Sequence, residues 1–186
     1  EIIKTNYNEY KNYFNGYEKG HLVLMKAIKE VTDKGFDINL VFVGDGPFRV
    51  VFEEHAKNLG ISDRVSFTGR LANGNEVRSV IRNSDVFVLP TFAEGLPRVL
   101  LEAMAEGIPC LSSPVCGIPE IIDNEFLYDF DDVDGFAGGI INLISNPDKM
   151  TAISEKNVSR AKDFSASKLN HKRKEFYNAL RDLCNK

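Results

Sequence analysis

The 186-residue sequence is poor in the side chains that build metal centres and disulfide frameworks. It has three cysteines, Cys110, Cys116 and Cys184, and no two of them form a Cys-x-x-Cys pair. An odd number of cysteines without such a pair argues against a zinc site and against a disulfide framework. The three histidines stand apart, in no ligand-spaced motif. We therefore expect no zinc site, and we expect Cys110 to be a buried strand thiol in a reducing compartment.

The sequence also lacks an excess of positive charge and a long apolar run. Lys and Arg together number 23 against 27 Asp and Glu, which gives a net charge of −4. Proteins that bind nucleic acid through its phosphates need clustered cations, so we expect no nucleic-acid partner. No apolar run is long enough to span a bilayer, and no signal-peptide pattern opens the chain. Because the first residue is Glu1, we expect a fragment of a longer protein.

The sequence does contain an alternation of two hydrophobic periods, in a chain long enough for one domain. Short apolar runs such as 38–43 and 85–89 are typical of buried strands, and helical spacing follows each of them. Further strands are predicted at 65–67, 109–112 and, weakly, 126–128, and helices at 22–31, 47–59, 75–81, 96–106, near 119–122 and over most of 133–183. Strands that are apolar on both faces and alternate with helices predict an α/β fold with a doubly wound, Rossmann-like parallel sheet.

Ligands of such sheets bind at the carboxyl ends of the strands, so the loops that follow the strands are the candidate site. The loop at 90–97 is the most informative of these, because it follows a buried strand and leads into a helix predicted to begin near Pro97. Free N–H groups at a helix start bind anions, and Gly95 lets the backbone approach a bulky ligand closely. We expect a diphosphate at this position.

Glu102 follows about five residues into that predicted helix, which is ~7 Å along its axis. That separation suits the distance from a bound phosphate to the ribose of the same nucleotide. A single glutamate on a helix surface more often only reaches solvent. Its neighbours here, Leu101 and Ala103 among them, are apolar, and a charge in so apolar a helix often marks a functional site.

The spacing of Glu94 and Glu102 resembles the signature of retaining glycosyltransferases of family 4 (glycosyl transferases group 1), which have the two-domain GT-B fold. Five further blocks resemble the family in the same order: 43–47, 65–69, 85–90, 102–109 and 117–121. The resemblance runs from about Lys19 to Asp163. It implies that this chain is the C-terminal, donor-binding domain of such an enzyme. We expect an uncertain segment at 1–18 and a nucleotide-sugar-binding domain at 19–186 that ends in C-terminal helices.

The resemblance also implies roles for individual residues. Glu94 would contact the sugar ring as the catalytic residue, and Glu102 would bind the ribose. The backbone of Gly95, Leu96 and Pro97 would contact the diphosphate and the sugar. The backbone of Arg70 and Leu71 would bind the base, and Gly44 would leave room for the nucleotide. Lys19 would bind the diphosphate. The ammonium group of Lys19 would neutralise the leaving group as a fixed cation, so the resemblance implies no metal and no cofactor.

The sequence departs from the family pattern in three places. Family members usually have a Gly-Arg pair shortly before the lysine, whereas residues 12–18 contain no arginine. Cys116 and Gly117 stand where two glycines are common, and the segment after Glu120 lacks the usual glycine-rich turn before Phe126. One phosphate-binding cation of the family therefore has no counterpart in the expected position.

The implied reaction transfers a sugar from a nucleotide-sugar donor to an acceptor hydroxyl with retention at the anomeric carbon, as in cell-surface polysaccharide synthesis. The acceptor, a sugar or lipid-linked sugar, would bind to an N-terminal domain that this chain lacks. Membrane association would come only through that domain, with the enzyme in the cytoplasm or at the inner face of the membrane. We expect little or no transferase activity from this chain alone.

Three alternatives remain open from the sequence. The chain could be a module that binds a nucleotide or nucleotide-sugar without chemistry. It could be another enzyme on the same fold, such as a nucleotide-sugar epimerase or a phosphorylase-like protein, although a phosphorylase needs a cofactor lysine site in a longer chain. A plain doubly wound domain with a signalling or structural role would leave the loop from Glu94 to Pro97 unexplained.

Overall fold

The computed structural model describes residues 19–184, and it has the predicted alternation of strands and helices. The expectation for residues 1–18 lies outside the described residues. In chain order the described elements are α1 (His21–Asp33), β1 (Leu40–Phe42), α2 (Arg49–Asn58), β2 (Val65–Phe67), α3 (Gly74–Arg82), β3 (Phe87–Leu89), α4 (Arg98–Ala105), β4 (Cys110–Ser112), α5 (Val133–Ile144), α6 (Pro147–Ala161) and α7 (Ala166–Cys184).

The described strands form two parallel pairs. Strand β1 pairs with β2, with Leu40 opposite Val65, and β3 pairs with β4, with Phe87 opposite Cys110. A cavity of about 1140 Å³ lies between the two pairs and is lined by residues of β1 and β3. The order β2, β1, cavity, β3, β4 is that of a doubly wound sheet whose first strand position lies between β1 and β3. No described residue forms a strand in that position.

Helices cover the strands, and the core between them is apolar. Helix α1 buries an apolar face that includes Met25 and Val31 and packs against α5, which buries Phe136. Helix α4 packs against α6 and contacts β3 and β4. Strand β4 is buried along its whole length, as expected of an apolar run in a parallel sheet. Helix α7 differs from the others, because none of its residues is buried.

The weakly predicted strand at 126–128 is wrong. A 3₁₀ turn occupies Asn124–Phe126, and only an isolated parallel bridge joins Leu127 to Ser112. The N–H of Tyr128 donates to the carbonyl of Ser112 at 3.0 Å. Phe126 is buried, and Leu127 and Tyr128 pack against the core, so this segment completes the sheet edge with a single bridge instead of a regular strand.

Within residues 19–184 no helix has both the length and the apolar character that a bilayer crossing requires.

A close contact fixes where α1 begins. Gly20, which precedes the helix, has φ +66°, and a β-carbon there would overlap the carbonyl oxygen of Pro90, the residue directly after β3. The absence of a side chain at residue 20 therefore lets the start of α1 lie against the carboxyl end of β3. Lys19 is carried to the same end of the sheet.

We expect Gly20→Ala to destabilise the protein more than Gly60→Ala, measured as the free energy of unfolding in urea. Gly60 has φ +69°, close to that of Gly20, but a β-carbon there would meet nothing within 4 Å. The control should therefore cost only the backbone strain, about 1 kcal/mol. Gly20→Ala should lower the free energy of unfolding by about 1–3 kcal/mol more than the control does, because Pro90 or α1 must move. Equal losses would show that the contact with Pro90 is not tight.

Candidate functional site

The loop between β3 and α4 is held by hydrogen bonds within the loop and to the loop after β4. Thr91 is fully buried, and its hydroxyl donates to the carbonyl of Ala93 at 3.3 Å. The N–H of Gly117 donates to the carbonyl of Gly95 at 3.2 Å. A β-carbon at Gly117 would lie 3.2 Å from that same oxygen and 3.2 Å from Leu96 Cδ1, so glycine permits the two loops to touch. The two loops together fix the backbone around Glu94.

The start of α4 leaves two backbone donors free. Pro97 is extended, with φ −71° and ψ 112°, so it precedes the helix, and the first helical residue is Arg98. This corrects the expectation that proline takes the first helical position. The carbonyl of Pro97 accepts from the N–H groups of Leu100, at 3.1 Å, and Leu101, at 3.4 Å.

No side chain caps this helix, so the N–H groups of Arg98 and Val99 have no partner among residues 19–184. Unpaired N–H groups and the positive end of the helix dipole together attract an anion. The loop that leads into them exposes Gly95 and Leu96 and buries the ring of Pro97. The backbone from Gly95 to Val99 is thus accessible to an anionic ligand.

Lys19 and Glu94 form an ion pair at the edge of this helix start. They lie 75 residues apart in the sequence and meet because Gly20 rests against Pro90. The side chains are 41% and 21% exposed, so both ends of the pair remain open to a ligand. A carboxylate and an ammonium group side by side can accept from sugar hydroxyls and donate to phosphate oxygens, respectively.

Glu102 lies on α4 one turn beyond Arg98, and it is exposed. Its carboxylate has no ion pair or hydrogen bond with any of the described residues. Residues three apart on a helix are neighbours, so Glu102 lies on the same face as Val99, which lines the large cavity. The carboxylate is free to accept hydrogen bonds one turn beyond the helix start that carries the two free N–H groups.

The remaining predicted donor contacts, Gly44, Arg70 and Leu71, line the large cavity together with Lys19. Gly44 has φ +125°, a conformation that favours glycine, and its N–H donates to the hydroxyl of Thr68 at 3.4 Å. The residues from Glu94 to Pro97 and Glu102 do not line this cavity. The candidate site therefore has two groups of residues, which are joined by the Lys19–Glu94 pair.

Sequence reasoning missed several residues of this region. Thr91 lies in the loop that was singled out, but its burial and its hydrogen bond depend on the folded loop. Cys116 has φ +47°, so it occupies the left-handed conformation that explains why glycine is common there. The guanidinium of Arg49 lies over the loop that contains Gly69, and no spacing in the sequence indicates this.

The described residues include no cluster of three His, Cys, Asp or Glu side chains placed to hold a metal ion. The three cysteines are free thiols. Burial raises the pKa of the Cys110 thiol far above its ordinary value, which keeps it protonated and unreactive. The polar groups available for chemistry at this edge of the fold include the two glutamates, the lysine and the backbone N–H groups.

The chain is similar to known glycosyltransferases. The model of the family "Glycosyl transferases group 1" matches residues 15–160. The chain is 39% identical over 127 residues to N-acetyl-alpha-D-glucosaminyl L-malate synthase of Bacillus anthracis, covering 67% of this chain and 32% of that protein. It is 30% identical over 146 residues to an Escherichia coli UDP-Gal:alpha-D-GlcNAc-diphosphoundecaprenol alpha-1,3-galactosyltransferase, covering 75% of this chain and 36% of that protein.

The crystal structure of Anabaena HepE in complex with UDP superposes with a TM-score of 0.79, at 22% identity, and covers 87% of this chain and 46% of that one. This similarity confirms the predicted fold, that of a Rossmann-like C-terminal domain of GT-B glycosyltransferases. The chain spans about a third of the length of the two relatives above. Because the family model covers most of the chain, the protein belongs to the glycosyl transferases group 1 family.

Proposed function

We propose that this chain is the donor-binding domain of a retaining glycosyltransferase of family 4 and that residues 19–186 form that domain. The enzyme transfers a sugar from a nucleotide-sugar to an acceptor hydroxyl. The observation that carries the proposal is the pairing of Lys19 with Glu94 beside the two free N–H groups at the start of α4. That arrangement offers a cation and backbone donors to a diphosphate, and a carboxylate to the sugar attached to it.

Each part of the donor has a matching group. The diphosphate lies against the backbone from Gly95 to Pro97, against the start of α4, and near Lys19. The ribose hydroxyls donate to Glu102, and a hydroxyl of the transferred sugar donates to Glu94. The nucleobase lies at the carboxyl ends of β1 and β2, beside Gly44 and the loop with Arg70 and Leu71, which borders the large cavity.

The acceptor site belongs to a further domain in this proposal, because the chain spans about a third of its relatives' length. The acceptor is a sugar or lipid-linked sugar in polysaccharide synthesis, and any membrane contact comes through that domain. The proposed enzyme is cytoplasmic, and it lies at the inner face of the membrane where its acceptor is membrane-bound. Three cysteines that are all free thiols support the cytoplasmic location.

Glu102→Gln should weaken the binding of nucleoside diphosphates about five- to tenfold, because a neutral amide is a poorer acceptor for the ribose hydroxyls than a carboxylate. Isothermal titration calorimetry on the chain measures this. The control is Glu155→Gln on α6, which also changes an exposed glutamate with no described partner. The proposal for Glu102 fails if both variants bind as tightly as the original chain.

Lys19→Gln should weaken the binding of a nucleoside diphosphate much more than the binding of the corresponding nucleoside, because the ammonium group acts on the phosphates. The salt dependence of diphosphate affinity should also become shallower. Lys26→Gln, an exposed lysine on α1, is the matched control. The free energy of unfolding should change by less than about 1 kcal/mol, because a partly exposed ion pair stabilises little. An equal loss for nucleoside and diphosphate would contradict this role.

Glu94→Gln in the full-length enzyme should abolish most turnover and leave donor affinity within about threefold, because the carboxylate acts on the sugar undergoing transfer. Turnover is measured as release of nucleoside diphosphate in the presence of acceptor. The chain alone should show little or no transfer, since it lacks the acceptor site. Unchanged turnover in Glu94→Gln would favour a binding module instead of a catalytic role for this residue.

A further inference from the structure

Arg49 lies beside the loop that is proposed to hold the base. It is the first residue of α2, and its guanidinium carbon lies 5.9 Å from the centre of the Phe67 ring at the end of β2. Its Nη1 would be 3.3 Å from a β-carbon at Gly69. The guanidinium therefore covers the carboxyl end of β2, next to the loop that continues to Arg70 and Leu71.

Two features hold the guanidinium in this place. Its Nε donates to Glu53 Oε1, one turn further along α2, at 2.8 Å. Gly69 has φ +68° and no side chain, so the loop offers a flat backbone surface beneath Nη1. The contact of the cation with the face of Phe67 adds a weaker attraction.

The outer end of the guanidinium is available to a ligand. The ion pair with Glu53 uses Nε, and neither Nη1 nor Nη2 has a hydrogen-bond partner among the described residues. The side chain is 41% exposed. A planar fork of N–H donors, anchored at one end and free at the other, suits acceptors that lie in a plane.

Nucleobases differ in the groups they offer to such a fork. Uracil, like thymine, presents a carbonyl acceptor at position 4, and guanine presents its O6 and N7 acceptors together. Adenine and cytosine carry an amino donor at the equivalent position. An arginine fork beside the base would therefore favour a base with a carbonyl at this edge and disfavour one with an amino group.

We propose that Arg49 is a specificity-determining residue that reads the base of the donor and selects uracil or guanine over adenine and cytosine. The inference rests on the proposed function, because it assumes that a nucleoside diphosphate binds at this end of the sheet. It adds a side-chain contact to a base site that would otherwise be formed by the backbone of Arg70 and Leu71.

Calorimetric titration of the chain with UDP, GDP, ADP and CDP tests the proposal, with Arg49→Ala and Arg49→Lys as variants. The original chain should bind UDP or GDP at least about tenfold more tightly than ADP and CDP. Arg49→Ala should bind the preferred nucleotide about tenfold more weakly and should bind ADP with an affinity changed by less than about twofold, so that selectivity disappears. Arg49→Lys should also lose selectivity, because lysine keeps the charge without the planar fork.

Arg64→Ala is the matched control, because Arg64 precedes β2 at its other end and also forms a carboxylate ion pair, with Asp37. It should keep both affinity and selectivity. If the original chain binds no nucleoside diphosphate, the proposed function falls, and this inference falls with it. If the original chain binds nucleoside diphosphates and Arg49→Ala keeps the same affinity and selectivity, only the role of Arg49 is overturned.

Discussion

The candidate site depends on the close approach of Gly20 to Pro90. Because no β-carbon separates these residues, the start of α1 lies against the carboxyl end of β3. The ion pair between Lys19 and Glu94 is a consequence of that approach, since Lys19 directly precedes Gly20 and Glu94 lies in the loop that begins at Pro90. A side chain at residue 20 would move the ammonium group away from the helix start that is proposed to hold the diphosphate. The position of the Lys19 ammonium group thus depends on the close backbone contact between Gly20 and Pro90.

Parallel pairing determines which loops can cooperate. All the described strands end at the same edge of the fold, and the positions after them include Gly44, Gly69 and the loop with Glu94. The isolated bridge between Gly44 and Gly69 holds the ends of β1 and β2 together, and both glycines have positive φ. The hydrogen bond from Gly117 to Gly95 similarly joins the loops after β3 and β4. In the proposed arrangement, the joined loops after β1 and β2 lie beside the base, and the joined loops after β3 and β4 lie beside the sugar.

The sequence was sufficient to predict the order and type of most elements, because apolar runs such as 38–43 and 85–89 distinguish buried strands from helices with a periodic face. Their length was overestimated, since β1 and β3 each span three residues. The position of Pro97 before the helix, and the left-handed backbone of Cys116, depend on how the folded loops meet. Long-range partners such as Lys19 and Glu94 were named separately as site residues, but only the fold brings them together.

The charges of the site show how an ion pair and a diphosphate can share one lysine. In the structure, Glu94 neutralises Lys19, so the cation attracts a distant anion only weakly. The two free N–H groups at Arg98 and Val99 then supply the fixed attraction for the phosphates, and they need no rearrangement. In the proposed donor complex, a sugar hydroxyl donates to Glu94 and the ammonium group turns toward the diphosphate. Donor binding thereby replaces one ion pair with two charge-assisted hydrogen bonds, one from the sugar to Glu94 and one from Lys19 to the diphosphate.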